Sequence, residues 1–528
     1  MRRIIAGILA AVLAAGLAGC RKNKNDTPED TDTIIMEQGT TEIKLALVNS
    51  GTLNPLETTS RNVQSVMNTV YEPLFTVDEK FNIVPVLAES YSLSGDGRRI
   101  TVKLRDGVKW HDGTPFNAED VTYTWNKLKN AGGLYKNTAA KISGVTILSK
   151  NEVEISLLRQ ELDFAYYLTF PILSRNTSYR NDFEFVPIGT GPYKYGERKE
   201  NEIVFEPNAA WHGEPVAQKP IRIKLLREVK ELVQAFNVNE TDAILSEDAD
   251  SAENPPKSSA QIKQIVSDNL VFLGFNTQNP LLSQEIRYAL GMAVDKPKLL
   301  EKAAYGYGKV CDISVNPDSW AYEGAASDGY SWETAAKMLE NAGYRIKNNV
   351  YSNGEQQLEF EILVNADKQQ RVTVAEAISE MLTGAGFVTR VKALDYNSYL
   401  EKIQSGNYDM FLGVTQTDSP IDPIALLDGE SNYFNFDAWE LKELRNSLYG
   451  VCDKEAYKTI VKDIVSRFTD NPPYIPLFFT TRGVYYGADV LGITRPTLSD
   501  RYKGIESWYF YSSPQNEDSD PDGQDKSE

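Results

Sequence analysis

The sequence predicts an α/β fold assembled from several lobes. Strand-like alternation and helix-like periodicity interleave from residue 42 to residue 512. The chain has 528 residues, enough for about three to five domain-sized units. Hydrophobic residues make up 41% of it and charged residues 24%, which excludes a collagen-like fibre, a fully disordered chain and a polytopic membrane protein.

In chain order, Arg2 and Arg3 precede an apolar run from Ile4 to Ala18, too short for the roughly twenty residues of a spanning helix. A basic start, a short apolar stretch and small residues predict a signal peptide over residues 1–19. Leu17-Ala18-Gly19-Cys20 resembles the bacterial lipobox, so cleavage is expected before Cys20, which then carries acyl chains such as palmitate. Residues 20–41 are polar and predict a flexible tether behind the lipidated Cys20. Residues 513–528 hold six acids, one Lys and no aliphatic residue, which predicts a disordered acidic tail.

Within the body, period-two alternation marks strands at Ile43, Leu45, Leu47; at Ile100, Val102, Leu104; at Val153, Ile155, Leu157; at Ile221, Ile223, Leu225; and at Leu358, Phe360, Ile362, Val364. Helical stripes run through Ile286, Ala289, Leu290, Ala293, Val294, through Val374, Ala377, Ile378, Met381, Leu382, and through Tyr457, Ile460, Val461, Ile464, Val465, Phe468. Gly384 and Gly386 read as stops for the second of these. Asn117 reads as an N-cap, with Glu119 and Asp120 in the first turn and Val121, Trp125 and Leu128 on one face.

Several chemistries are excluded or disfavoured. The formal net charge of −19 suits no general phosphate-backbone binder, so no nucleic acid is expected. His111 and His212 are the only histidines, and each sits beside a Trp in a turn-like context, which suits local hydrogen bonding more than catalysis. There is no phosphate-binding Gly-Lys loop and no calcium loop, and Gly306-Tyr307-Gly308 lacks the rest of a dinucleotide signature. No enzyme, cofactor or metal site is expected. Cys311 and Cys452 remain after export; a bridge between them is open, and a buried inert thiol is the plainer reading. The 28 Tyr against 20 Phe favour amphipathic surfaces that meet a ligand or a neighbouring lobe.

The motifs then converge. Ser94-Gly95-Asp96-Gly97, the run from Thr101 to Pro115 (TVKLRDGVKWHDGTP) and Ala118-Glu119-Asp120-Val121 resemble the signature of the family 5 extracellular solute-binding proteins. Leu53-Asn54-Pro55, Tyr71-Glu72-Pro73-Leu74, Gly189-Thr190-Gly191-Pro192-Tyr193, Phe275-Asn276 and the stretch from Ala335 to Tyr344 follow in the family's order. The resemblance implies a two-lobed periplasmic-binding-protein-like fold (type II, with an extra inserted sub-lobe) and a ligand cleft between the lobes. Lobe one is expected at 42–57, 186–270 and 478–512, the sub-lobe at 58–185, and lobe two at 271–477.

Site residues carry over by resemblance. Asp418 matches the Asp that pairs with a peptide α-amine, although one extra residue follows it before Pro423. Thr59, Ser60 and Arg61 match an extended segment that pairs with ligand backbone, and Val414, Thr415 and Gln416 match the strand opposite. Leu412 stands where some members carry an arginine for the ligand carboxylate, and Arg371 aligns with the arginine that others use instead. Tyr396 matches an aromatic position of the pocket wall.

The function so implied is capture of a peptide (oligopeptide or dipeptide) outside the cytoplasm and delivery to the permease and ATPase of an ABC importer. The alternatives are a non-peptide solute such as an oligosaccharide, an opine or a metal chelate, or a peptide-sensing receptor without transport. The chain is expected to be a monomer that meets the membrane through its lipid anchor only.

Overall fold

The computed structural model describes residues 42–511 apart from 49–50, 181–183, 215, 217–218, 248–254, 325–331, 428–431 and 452. The expected signal peptide, the lipidated Cys20, the tether, the acidic tail and Cys452 lie outside the described residues. Cys311 is a free, buried thiol, and burial holds its pKa well above the ordinary value.

Three sheets organise the body. In the first, Ile43–Val48 runs parallel to Ile221–Leu226, followed by Glu202–Pro207 and Tyr193–Arg198 in antiparallel order. Ile43, Leu45 and Leu47 point to one side and are completely buried, as period-two alternation requires. The second sheet pairs Ala88–Leu93, Arg99–Leu104, Glu152–Leu157 and Ile142–Ser149, all antiparallel. Its inward residues Ile100, Val102, Val153 and Ile155 share one core with the first sheet.

The helix Ala118–Leu128 shows why the Trp110 motif and the Asp120 motif travel together. Asn117 caps it through the Glu119 amide at 2.9 Å, and Asp120 reaches back to the Asn117 amide at 3.0 Å, closing a capping box. The same carboxylate accepts from the Trp110 indole at 3.2 Å and, through its other oxygen, from the Arg175 amide at 3.2 Å. Asp120 is buried and both its oxygens are hydrogen-bonded, so this motif serves as scaffold.

The third sheet runs from the first core into the far lobe. Its strand order is Ala243–Glu247, Tyr474–Tyr486, Gln261–Phe275, Met410–Gln416, Glu359–Asn365 and Val388–Leu394. Both faces are covered, which explains its continuous apolar runs. Val271, Leu273, Met410 and Leu412 face the helices Gln284–Met292 and Gln369–Gly384, whereas Phe272 and Phe411 face the helix Lys454–Asp470. The three helical stripes read from the sequence are these inward faces.

Two long strands, Gln261–Phe275 and Tyr474–Tyr486, pass from one core to the other. Ile265 and Val484 lie in the first core, Val271 and Leu477 in the second. Between them the register slips: Val266 pairs with Thr481, and the next pair is Leu270 with Phe479. The bulged residues are pinned by Ser267 Oγ against Thr480 Oγ1 at 2.7 Å. A bulged two-strand crossing between two cores is the natural place for a hinge.

His111 has a local structural task. Its Nδ1 accepts from the Gly189 amide at 3.2 Å and its Nε2 faces the Gly191 carbonyl at 3.0 Å, so the ring is neutral with the proton on Nε2. Burial first of all lowers its pKa to about 4. The unfolded imidazole takes up its proton near pH 6.5, so between that pH and about 4 the unfolded state binds more protons. Stability therefore falls as pH falls through this window, by up to about 3 kcal/mol from this residue. Calorimetric melting at pH 7 and pH 4.5 should show His111→Gln losing part of the wild-type acid sensitivity; an unchanged pH slope counts against the assignment.

Candidate binding cleft

The two lobes meet across a cavity of ≈ 210 Å³. The sub-lobe contributes Arg61, Tyr135, Lys141, Tyr166 and Tyr167, and lobe two contributes Gln416, Thr417 and Asp418. Asp268, on the bulged crossing strand, lies at the floor. A second cavity of ≈ 140 Å³ contains Glu72, Asp500 and Glu506, but it is bounded by lobe one and the sub-lobe only, so hinge motion leaves it unchanged. Opening and closing of the lobes would expose and bury the interlobe cavity.

Asp268 ties the cleft together. Its Oδ2 accepts from Gln416 Nε2 at 2.6 Å and faces Arg61 Nη2 at 3.4 Å. Its Oδ1 accepts from Arg482 Nη2 at 3.0 Å, and its carbonyl accepts from the Thr417 amide at 2.8 Å. Sub-lobe, lobe two and crossing strand thus converge on one residue. Other contacts join the lobes at the rim: the Trp320 amide donates to the Lys80 carbonyl at 3.0 Å, and Arg495 lies 3.5 Å from Asp318.

The strand Met410–Gln416 has an open edge. On one side it pairs with Gln261–Phe275 through to Gln416, opposite Asn269. On the other side the parallel pairing with Glu359–Asn365 ends at Leu412. Residues 413–416 therefore present main-chain groups without a strand partner among the described residues. Asp418 follows two residues beyond the strand, half-exposed, with its Oδ2 3.5 Å from Lys141 Nζ.

The aromatic wall is polar at its tips. The Tyr166 phenol is held well above its ordinary pKa by burial and then by the Asp268 carboxylate, so it stays a donor at any physiological pH. Tyr135 is raised by burial as well, and its hydroxyl meets the Gln64 amide. Among the described residues no cluster of three His, Cys, Asp or Glu side chains is placed to hold a metal ion, and no helix is long and apolar enough to cross a membrane.

The sequence profile of the bacterial extracellular solute-binding proteins, family 5 (middle region), matches residues 82–434. The chain belongs to this family. Family 5 proteins are the solute-binding components of ABC importers, and the two-lobed α/β fold is theirs. The chain is 23% identical to the oligopeptide-binding protein AppA of Bacillus subtilis (strain 168), over 94% of this chain and 97% of the relative. It is 27% identical to the nickel-binding periplasmic protein of Escherichia coli (strain K12), over 82% of this chain and 87% of that one. The structure of MppA, a periplasmic murein tripeptide binding protein in its unliganded open form, matches with a TM-score of 0.77 at 19% identity, over 90% of this chain and 98% of that chain.

Within this family 5 fold, the residues expected at the site fall into two groups. Arg61, Gln416 and Asp418 line the cavity, and Val414 and Thr415 form the open strand edge. One expectation needs correction. The extended segment ends at Ser60; Arg61 already opens the helix Arg61–Met67, because Ser60 Oγ caps the Val63 amide at 3.3 Å. Thr59 is exposed, and among the described residues nothing hydrogen-bonds its amide or carbonyl. Arg371 and Tyr396 do not line the cavity. They flank Tyr399, whose hydroxyl donates to the Leu412 carbonyl at 2.8 Å, further along the lobe-two sheet. Leu412 itself is buried in the core.

No sequence motif singles out Lys141, Tyr166, Tyr167 or Asp268. The pair Tyr166-Tyr167 was the one available signal, an aromatic doublet just past the sub-lobe strands. Lys141 is one of many lysines, and its neighbours in the cleft are remote in sequence.

Proposed function

We propose that the protein captures short peptides outside the cytoplasm and delivers them to an ABC permease. The observation that carries this reading is the unpaired edge at residues 413–416, whose last residue, Gln416, lines the cavity with Asp418. An extended peptide adds to such an edge through main-chain hydrogen bonds, which are insensitive to side chain, and an acid at the strand's end receives its amino group. Thr59 supplies further main-chain groups on the sub-lobe side, while those of Ser60 are engaged by Thr58 Oγ1 and the Gln64 amide. Arg371 and Tyr396 lie outside the cavity and would meet only a peptide long enough to pass beyond it. The oligopeptide-binding relative supports the reading.

Closure of the lobes buries the cargo, and the loaded form docks on the permease. The protein acts by binding without turnover, as a monomer leashed through acylated Cys20. Replacing Asp418 by Ala is expected to weaken tripeptide binding by more than about tenfold, since hydrogen bonds to charged groups contribute roughly 1.5–3 kcal/mol. Isothermal calorimetry with unchanged affinity would remove Asp418 from the site. The nickel-binding relative favours one other reading, a metal chelate as cargo. Native mass spectrometry of the protein purified from its own cells separates the two by the mass of the retained ligand.

A further inference from the structure

Asp418 already has an ammonium partner within its own chain. Lys141 closes the helix Lys136–Lys141 in the sub-lobe, and its side chain is 11% exposed. Glu161 Oε2 accepts from Lys141 Nζ at 3.0 Å, and the ammonium lies 4.6 Å from the centre of the Tyr167 ring. Glu161 is 5% exposed and also accepts from Arg159 Nε at 2.8 Å, so it is itself fixed. These contacts all lie within the sub-lobe, and they hold Nζ in place whatever lobe two does. From that position Nζ stands 3.5 Å from Asp418 Oδ2 across the cleft. Asp418 is 58% exposed, and among the described residues Lys141 is its one ionic partner.

We propose that Lys141 is a tethered rival of the cargo's amino group for Asp418, and so sets how tightly amine-bearing cargo is held. The inference rests on the reading of Asp418 as the amine anchor. A lysine ammonium on a carboxylate makes the same contact that a peptide amine makes. Two ammonium groups on one carboxylate repel each other at a few ångströms, most strongly when closure excludes water. The arriving amine must therefore push Lys141 back onto Glu161 alone, or share Asp418 at a penalty. Either way Lys141 weakens cargo with a free amino terminus far more than cargo with a blocked one. This is selectivity by a built-in repulsive element. The same pair bridges the lobes, so it also favours closure of the cargo-free protein.

The test compares wild type with Lys141→Met, and with Lys141→Met/Glu161→Gln, which removes the ammonium together with its buried partner. A mixed tripeptide pool is offered once with free and once with acetylated amino termini, and binding is read by native mass spectrometry and calorimetry. Both variants are expected to bind the free pool about tenfold more tightly and the acetylated pool about as wild type does. Equal or weaker binding of the free pool by two folded variants overturns the rival role while leaving peptide capture standing. A free pool that binds none of the three proteins ends the peptide reading and this inference with it. Small-angle scattering of the cargo-free protein adds a readout without ligand. Asp418→Asn, which leaves Lys141 on Glu161, is expected to enlarge the radius of gyration, and no change would remove the bridging role.

Discussion

Asp268→Ala is expected to lower folding stability by roughly 3 kcal/mol and to loosen the contact between the lobes. The carboxylate serves Arg61 of the sub-lobe, Gln416 of lobe two and Arg482 of the second crossing strand. Arg482 is only 5% exposed, so truncation withdraws a counter-charge from a guanidinium that water reaches poorly. Asp268 also stands in the stretch where the paired strands slip register, so whatever changes there changes the hinge. Denaturant titration should show the loss of stability, and small-angle scattering should show a less compact particle. Asp268→Asn, which keeps an acceptor for Arg482, is expected to retain much of the stability. Wild-type midpoint and wild-type radius of gyration in Asp268→Ala would show that the convergence of three elements on this residue carries no energy.

The fold was largely legible because its signals are local. Buried strands such as Ile43–Val48 alternate, and helices such as Lys454–Asp470 carry apolar stripes at the expected spacing. Motifs that announce the family turn out to be scaffold: Asp120 with Trp110 fixes a helix start, and His111 with Gly189 and Gly191 fixes a turn. They fix local structure and lie outside the interlobe cavity, which is why they name a fold and leave the cargo open.

The cleft was legible in part, for the opposite reason. Residues matched by position, such as Asp418 and Gln416, do reach the cavity. What they meet there is decided by long-range geometry. Lys141 and Asp418 are 277 positions apart (418 − 141), as are few pairs that short motifs describe. The helix start at Arg61 escapes the sequence because Ser60 reads as one step of an extended segment, while its hydroxyl acts as a cap. Arg371 stands at a position that the family resemblance ties to a ligand carboxylate, yet the cavity stops short of it.

Gly189→Ala is expected to cost at least about 3 kcal/mol, the upper end of ordinary overpacking. A Cβ there would stand 1.8 Å from the Val70 carbonyl oxygen, closer than any side-chain adjustment can relieve because the obstacle is main chain. That main chain cannot retreat. The Val70 carbonyl accepts from the Gly191 amide at 2.9 Å, and the Thr69 carbonyl accepts from the Tyr193 amide at 3.0 Å. On the other side, the Gly189 carbonyl accepts from the His111 amide at 2.9 Å, and the Tyr71 hydroxyl accepts from the Ile188 amide at 3.1 Å. Relieving the clash therefore breaks several hydrogen bonds that tie lobe one to the sub-lobe, each worth about 1 kcal/mol net. The damage lies away from the cavity, so residual folded protein should still bind cargo with near wild-type affinity while its denaturation midpoint drops. A midpoint equal to wild type would mean that the 189–193 turn can shift as a unit, and that its two glycines are not held by the close approach to residues 69–70.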